Sequence, residues 1–366
     1  MDEEGAARRE PVTVAARTGR PVLTPSFGEY PVYTTGSYSV LSSDTLRVAV
    51  FEDALRSLAP GAAVLDLGAG GELLWARRAA ELGAARSVAV EVMPEAVRQG
   101  RATLDALARR APDVARRVRL VSALSTRVTL PEPADVCVAE VVGSFAGAEG
   151  IAAVIADART RLLKPGAVIV PDRVCSRLAA VETRTVLGGV DAHFDEAARE
   201  NVHRIFAAVG HPFDVRLRVQ SPVAELATTS AVVEVYDLNR DSPDRLVADQ
   251  DRAVRLLVRR EGVIDALMGW LVLRALHGGP ELDVLRDPTS WGAVLFPFPS
   301  GPVRVKAGDI LSVRARTRIS DNGVHPDYRF DIALESDSRL TGLGTIRAEH
   351  HGKHIGGSPL HQALLA

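Results

Sequence analysis

The segment VLDLGAGGE, residues 64–72, constrains the fold of this chain more than any other. It is typical of a buried strand that breaks into a glycine-rich turn and continues into a helix from Leu73. Glycine suits such a turn because a residue without a Cβ adopts unusual dihedral angles and lets the backbone approach a ligand closely. The segment therefore predicts a cradle for a nucleotide-like cofactor, with Asp66, Gly68 and Gly70 at its edge.

A second apolar run, SVAVE, ends in Glu91, at the distance expected of a strand–helix–strand unit. An acid at the end of that strand can accept hydrogen bonds from both hydroxyls of a ribose. A dinucleotide fingerprint needs a third glycine where this chain has Leu73, and Asp66 suits a cofactor that carries a cationic amino group. The turn thus favours S-adenosylmethionine over NAD.

Strands and helices alternate through the first half of the chain, which predicts a parallel, doubly wound sheet. After Pro171 the pattern changes to period-two runs such as VRLRVQ, SAVVEVYDL and ILSVRART, which indicate an antiparallel sheet or barrel. The predicted fold class is α/β, a Rossmann-like doubly wound parallel sheet followed by an antiparallel β-barrel domain with a helical arm.

The changes in pattern also predict four regions. They are a flexible N-terminal tail at 1–25, a cofactor domain with an N-terminal helix at 26–171, a barrel domain for substrate and dimerisation at 172–348, and a C-terminal tail at 349–366.

Composition sets the outer limits. A net charge of −2 over 366 residues argues against a nucleic-acid binder. Cys137 and Cys175 lie in apolar runs and are interpreted as core residues. No run reaches the roughly 18 apolar residues that a membrane helix needs, and the N-terminus has no signal core, so we expect a cytoplasmic protein without a membrane partner. A polar tail holds His350, His351 and His354 in HHGKH, without an ordered scaffold, so no metal site is predicted.

Two glutamates nine residues apart, Glu140 and Glu149, follow the apolar run ADVCVAE. A single loop glutamate is usually a solvated side chain. Two fixed carboxylates beside a methyl donor, however, can grip and orient a basic nitrogen group. This pair predicts the catalytic centre, and Glu140 is also expected to contact the cofactor.

Several motifs carry a family resemblance. DLGAGGE resembles motif I of class I S-adenosylmethionine methyltransferases, and E-x-x-G-x-x-x-x-x-E at Glu140, Gly143 and Glu149 resembles the double-glutamate loop of protein arginine methyltransferases. LKPGAVIVPDR, SSDTLR, PTSW and VKAGD resemble further segments of that family, so the similarity spans roughly residues 30–334.

The resemblance implies roles for further residues. Arg47 in SSDTLR stands where the family's arginine meets the cofactor carboxylate, and Ser125 and Thr126 stand near its adenine-contacting position. Ser290 and Trp291 occupy the family's Thr-His-Trp loop, where the tryptophan would line the acceptor channel. An insertion at about 191–222 corresponds to an arm that implies a homodimer.

The departures leave alternatives open. Glu72 replaces a glycine of motif I, Val142 and Leu41 replace methionines, and Ser290 replaces a histidine, so the identity of the methyl acceptor stays open. The expected activity is N-methylation of an arginine guanidine, free or peptidyl. A histidine imidazole in a modified natural-product peptide and a non-catalytic binding module remain alternatives. Trp291 could equally be a barrel core residue, and the helix within 195–210 could pack on its own barrel.

Overall fold

The computed structural model describes residues 22–26, 43–194, 196–213, 215–220, 225–349 and 357–365. Its strands are β1 Val22–Ser26, β2 Ala63–Leu67, β3 Arg86–Glu91, β4 Val118–Ser122, β5 Ala134–Ala139, β6 Leu163–Val170, β7 Arg173–Val181, β8 Arg216–Gln220, β9 Ala231–Asp237, β10 Gln250–Leu257, β11 Gly262–Ile264, β12 Ala266–Arg274, β13 Glu281–Asp283, β14 Ala293–Pro297, β15 Val303–Val305, β16 Ile310–Ile319, β17 Pro326–Ser336 and β18 Arg339–Ala348. Its helices are α1 Thr45–Leu58, α2 Leu74–Glu81, α3 Pro94–Arg110, α4 Pro112–Ala115, α5 Ile151–Arg161, α6 Thr183–Val186, α7 Glu196–Val209, α8 Pro243–Leu246 and α9 Pro359–Leu365.

The first half of the chain forms a five-stranded parallel sheet in the order β4-β3-β2-β5-β6. All residues of β2 are buried, as expected for a central strand with helices on both faces. The strand order reverses between β2 and β5, and ligands of such sheets bind beyond the carboxyl ends of the strands at this point. The glycine turn follows β2 and Glu140 follows β5, so both motifs lie at this crevice.

The second half forms antiparallel sheets. One has seven strands, with the main order β1-β8-β14-β12-β7-β9 and β13 beside β12, and another has four in the order β10-β16-β17-β18. A buried cluster fills the space between them, with Leu178, Leu267 and Phe296 from the larger sheet and Val313 and Phe330 from the smaller. These sheets form the β-barrel region, and the predicted fold class is confirmed.

Both ends of the chain differ from the sequence expectation. Within the region predicted as an N-terminal tail, residues 22–25 belong to β1, which pairs with β8. The predicted C-terminal tail contains α9, whose Leu360 and Leu364 are buried. Two buried leucines on a seven-residue helix are too few to show a helical repeat in the sequence.

The predicted arm at about 191–222 contains two different elements. Helix α7 packs against α9, with Val202 and Ile205 buried in the main core. The segment 216–220 is β8, a strand of the seven-stranded sheet, so the end of the predicted arm belongs to the barrel. Within the described residues, no helix is long and apolar enough to cross a membrane.

Candidate active site

The turn after β2 approaches the segment that follows β5. Gly68 and Gly70 have φ values of 76° and 62°, a conformation that favours glycine. A Cβ on Gly68 would lie 2.9 Å from Cγ1 of Val141, the residue directly after Glu140. The glycine turn thus packs against the residue next to the first catalytic candidate, and a residue larger than glycine does not fit at position 68.

The carboxylate of Glu91 ends β3 and organises this turn. Its Oε2 accepts a hydrogen bond from the amide of Gly70 at 2.8 Å, and its Oε1 accepts from the amides of Val92 and Met93, both at 2.8 Å. Glu91 was predicted to bind the ribose, and the structure places it at the predicted strand end. Its contact with a ribose stays a prediction. The structure shows a task that the sequence did not indicate, which is to hold the glycine turn.

Asp66 lies deeper in the same strand–turn unit. Its Oδ2 accepts from the amide of Ala76 at 2.9 Å, while its Oδ1 is buried and has no hydrogen-bond partner within the described part of the chain. Burial raises the pKa of this carboxyl to about 7, and the nearby charge of Glu91 adds to the increase. A cationic group placed at Oδ1 would lower that pKa again.

Glu140 is held from two sides. Its Oε1 pairs with Nη1 of Arg47 from α1, and its Oε2 accepts from the indole Nε1 of Trp75 at 2.8 Å. Trp75 in turn stacks on Phe51 with ring centroids 5.0 Å apart. The carboxylate is therefore fixed by two donors from two helices.

Arg47 is the central cation of this cluster. Its side chain is only 2% exposed, and its Cζ lies 5.9 Å from the ring centroids of both Trp75 and Trp291, within reach of cation–π attraction. Burial lowers its pKa to about 10, while Asp44 and Glu72 act in the opposite direction. The guanidinium remains charged at neutral pH.

Ser290 and Trp291 complete the wall beside Arg47. The amide of Ser290 donates to Oδ2 of Asp44 at 2.5 Å, and the indole of Trp291 donates to the carbonyl of Val142 at 3.3 Å. Trp291 is buried in the main core and its ring also faces Arg47, while its proposed place in the acceptor channel stays a prediction. The hydroxyl of Ser290 has no hydrogen-bond partner among the described residues.

Glu149 ends a short 3-10 turn, Ala146–Glu149, in the loop that follows Glu140. Its side chain is half-buried. The loop folds back on itself, since a Cβ on Gly143 would lie 3.6 Å from Cγ of Glu149. The two glutamates therefore belong to one compact loop at the carboxyl end of β5.

Ser125 and Thr126 lie in another 3-10 turn, Ser125–Arg127, which follows β4 at the same edge of the sheet. Ser125 is half-buried and Thr126 exposed. Their backbone is fixed by Arg161, which donates to the carbonyl of Ser125 at 3.0 Å. Their proposed contact with an adenine stays a prediction.

Asp44 and Trp75 are site residues that sequence reasoning did not assign. Asp44 caps α1 by accepting from the amide of Arg47 at 3.0 Å, and it also holds Ser290. An aspartate just before an amphipathic helix is the usual N-cap signal. The signal for Trp75 is weaker. A buried indole normally needs an acceptor for its N–H, but the sequence does not show which residue that acceptor is.

Among the residues that the structure describes, no group of three or more His, Cys, Asp or Glu side chains could hold a metal ion. His350, His351 and His354 lie outside the described residues. Cys137 and Cys175 are buried free thiols, and burial raises the pKa of Cys175 to about 11 and that of Cys137 further.

Comparisons with known proteins place this geometry in context. The chain matches no family model. It is 32% identical over 282 residues to the arginine N(omega)-methyltransferase of Streptomyces achromogenes subsp. streptozoticus, a match that covers 74% of this chain and 73% of that protein. It is 25% identical over 369 residues to the probable protein arginine N-methyltransferase 3 of Arabidopsis thaliana, covering 89% of this chain and 58% of that protein.

Solved structures share the fold. The crystal structure of Arabidopsis thaliana protein arginine methyltransferase 10 matches with a TM-score of 0.67 and 18% identity, over 86% of this chain and 98% of that chain. The Trypanosoma brucei PRMT1 enzyme-prozyme heterotetrameric complex with AdoHcy matches with a TM-score of 0.65 and 19% identity, over 86% and 99%.

Together with the match to the Streptomyces relative, the parallel sheet, its glycine turn and the antiparallel barrel define a class I S-adenosylmethionine-dependent methyltransferase. The 32% sequence identity to the Streptomyces relative identifies the family within that class. The chain belongs to the arginine methyltransferase family and is a divergent, S-adenosylmethionine-dependent N-methyltransferase.

Proposed function

We propose that this protein transfers a methyl group from S-adenosylmethionine to a guanidine nitrogen of arginine, with Glu140 and Glu149 orienting the acceptor. One observation carries the proposal: Glu140 is fixed by Arg47 and Trp75 at the crevice where the glycine turn meets the end of β5. We assign cofactor binding to residues 26–171, which also carry the two glutamates, and the rest of acceptor binding and dimerisation to the barrel at 172–348.

The hydrogen-bond capacity of Glu140 supports this role. A carboxylate can accept about four hydrogen bonds, and the described residues supply two of them, from Arg47 and Trp75. The remaining lone pairs can accept N–H donors of a guanidinium, which presents its donors in a planar fork. Glu149 belongs to the same compact loop and provides the second carboxylate.

The residues of the turn fit the cofactor. Asp66 has a buried oxygen without a partner among the described residues, which suits a cationic amino group, and Gly68 leaves a space that a Cβ would fill. Arg47 supplies the cation for a carboxylate, while Glu91 with Ser125 and Thr126 would contact the ribose and adenine. When bound, the cofactor supplies an electrophilic methyl group on a sulfonium.

The chain's own residues then have a limited task. Methyl transfer from a sulfonium is an in-line displacement, so alignment of the acceptor nitrogen contributes much of the rate. Two carboxylates hold the guanidinium, accept the proton that its nitrogen loses on methylation and stabilise the positive charge that remains on the product. Trp291 closes the wall near Arg47, and Ser290 leaves more room there than an imidazole would.

Arginine is the preferred acceptor because the Streptomyces relative is named an arginine N(omega)-methyltransferase. Mass spectrometry tests this directly, with purified protein, S-adenosylmethionine and a panel of free arginine, an arginine peptide and a histidine peptide. One or two methyl masses on an arginine species would support the proposal. Transfer only to the histidine peptide, or to none of the three, would contradict it.

We also propose a homodimer, built through the region of α7. The solved Trypanosoma brucei relative is a heterotetrameric complex, which supports assembly in this fold, although α7 of this chain packs on α9 of the same chain. Light scattering coupled to size-exclusion chromatography would show twice the 39.1 kDa chain mass for a dimer. A single chain mass at micromolar concentration would reject it.

A further inference from the structure

A buried carboxyl group lies beneath the loop of the two glutamates and is not part of the site described above. Glu234, on β9, has no solvent exposure. Its Oε1 accepts from the hydroxyls of Tyr236 at 2.8 Å and Tyr328 at 3.1 Å. Its Oε2 accepts from the hydroxyl of Ser176 at 2.6 Å and the amide of Gly147 at 3.2 Å.

Four donors match the acceptor capacity of one carboxylate. This matters because an isolated buried charge is strongly unfavourable. Burial raises the pKa of Glu234, while the bonds from Ser176, Tyr236 and Gly147 act against the increase. Three of the four donors come from the barrel strands and one comes from the loop, so the carboxyl connects these two parts.

Ser176 extends the connection by one residue. Its hydroxyl donates to Glu234 and accepts from the amide of Ala146 at 2.9 Å. The barrel therefore binds two consecutive amides, those of Ala146 and Gly147. Both belong to the 3-10 turn that ends in Glu149.

Gly147 is fitted closely to this contact. A Cβ at this position would lie 2.4 Å from Oε1 of Glu234 and 2.9 Å from the hydroxyl of Tyr236. Real Cβ atoms do not approach so closely. The loop can rest on the carboxyl only because residue 147 has no side chain.

Phe145 anchors the other end of the turn in the barrel core. Its ring is buried and meets Tyr328 edge-on at 4.9 Å and Phe296 at 5.5 Å between centroids. The turn is thus held by an apolar side chain at its start and by hydrogen bonds from two of its backbone amides. Only its end, at Glu149, is left half-buried.

We propose that Glu234 and Ser176 are positioning residues, which hold the turn 146–149 so that Glu149 faces the acceptor. This inference rests on the proposed role of Glu149. Neither residue is part of the cofactor cradle, so loss of their contacts should lower turnover of the acceptor and leave cofactor binding intact.

The test compares two substitutions that each remove one hydroxyl donor from Glu234. Ser176→Ala also frees the amide of Ala146, whereas Tyr328→Phe removes a hydroxyl for which the described residues show no hydrogen bond to the loop. We expect similar decreases in melting temperature for both. We expect kcat for arginine to fall roughly 10- to 100-fold in Ser176→Ala alone, as for a misplaced catalytic group, with the dissociation constant of S-adenosylmethionine unchanged.

Equal kcat values for the two variants would overturn the inference. Glu149→Gln, measured beside them, separates this failure from that of the proposed function. If Glu149→Gln keeps full turnover, the assigned role of Glu149 is wrong and the positioning claim falls with it. If Glu149→Gln loses turnover but Ser176→Ala does not, only the positioning claim is wrong. Should Ser176→Ala not fold, Gly147→Ala displaces the same turn and must give the same loss of kcat.

Discussion

The guanidinium of Arg47 forms an ion pair with the carboxylate of Glu140, and this contact joins α1 to the loop after β5. The side chain of Arg47 is 2% exposed and that of Glu140 is 13% exposed, so solvent screens the pair only weakly. One residue assigned to the cofactor and one assigned to the acceptor therefore share a single charged contact. Their substitutions should not act independently.

Arg47→Lys should weaken binding of S-adenosylmethionine about tenfold or more, because an ammonium cannot replace the planar fork of donors at a buried site. Isothermal titration calorimetry measures this. Arg56→Lys on the same helix is the matched control, since Arg56 is exposed and pairs with Glu52 at the surface. Equal affinities for the two variants would show that Arg47 does not contact the cofactor.

Trp75→Phe should lower kcat by about tenfold, because it removes the N–H donor to Glu140, a charge-assisted bond contributing roughly 1.5 kcal/mol. The phenyl ring can keep the stacking with Phe51. Steady-state kinetics with saturating cofactor provides the measurement. An unchanged kcat would mean that Trp75 only packs against its neighbours.

Asp66 should make stability depend on pH. Burial raises its folded pKa from 3.8 to about 7, so the folded protein keeps a proton that the unfolded chain loses. Stability should therefore be greatest below about pH 4 for this group, fall as the pH rises towards 7 and stay level above it. Urea unfolding between pH 5 and 7.5 measures the slope as the denaturation midpoint shifts.

Asp66→Asn is the control for this slope, because the amide does not titrate and Glu234, whose pKa burial also raises, is present in both proteins. Subtracting the two pH profiles isolates Asp66. Identical slopes would show that Asp66 keeps an ordinary pKa.

Gly68→Ala should destabilise the fold and abolish cofactor binding, since the new Cβ meets Val141 at 2.9 Å in addition to the strained φ of 76°. Gly61→Ala is the control: Gly61 has a similar φ of 73°, but a Cβ built there would have no atom within 4 Å. It should show only the backbone strain of about 1 kcal/mol and bind cofactor normally. Unfolding curves and calorimetry of both variants check this, and normal cofactor binding by Gly68→Ala would contradict it.

The parallel sheet and the barrel could be predicted because the spacing of apolar residues along the chain distinguishes helices from strands. Apolar runs such as residues 63–67 and 134–139 became neighbouring buried strands. The positions of Glu91 and Glu140 followed from that alternation, since Glu91 ends β3 and Glu140 directly follows β5. The short α9 was missed because two buried leucines are too few to show a helical repeat.

The contacts within the site could not be predicted in the same way. The pair of Arg47 with Glu140 joins residues 93 positions apart, and the bond from Ser176 to Glu234 joins residues 58 apart. A glutamate in a period-two strand pattern gives no sign that it will face the core with four donors. Such contacts depend on how two sheets and a loop meet, which local sequence does not specify.

The most direct test of the central claim is the initial rate of methyl transfer to arginine by Glu149→Gln and wild type, with the dissociation constant of S-adenosylmethionine measured on the same samples. Glutamine keeps the shape of the side chain and removes its charge. We predict a loss of roughly 100-fold or more in turnover, as for other electrostatic groups at a reacting centre, with cofactor affinity within about twofold of wild type. Turnover at the wild-type rate would contradict the assignment of the glutamate pair.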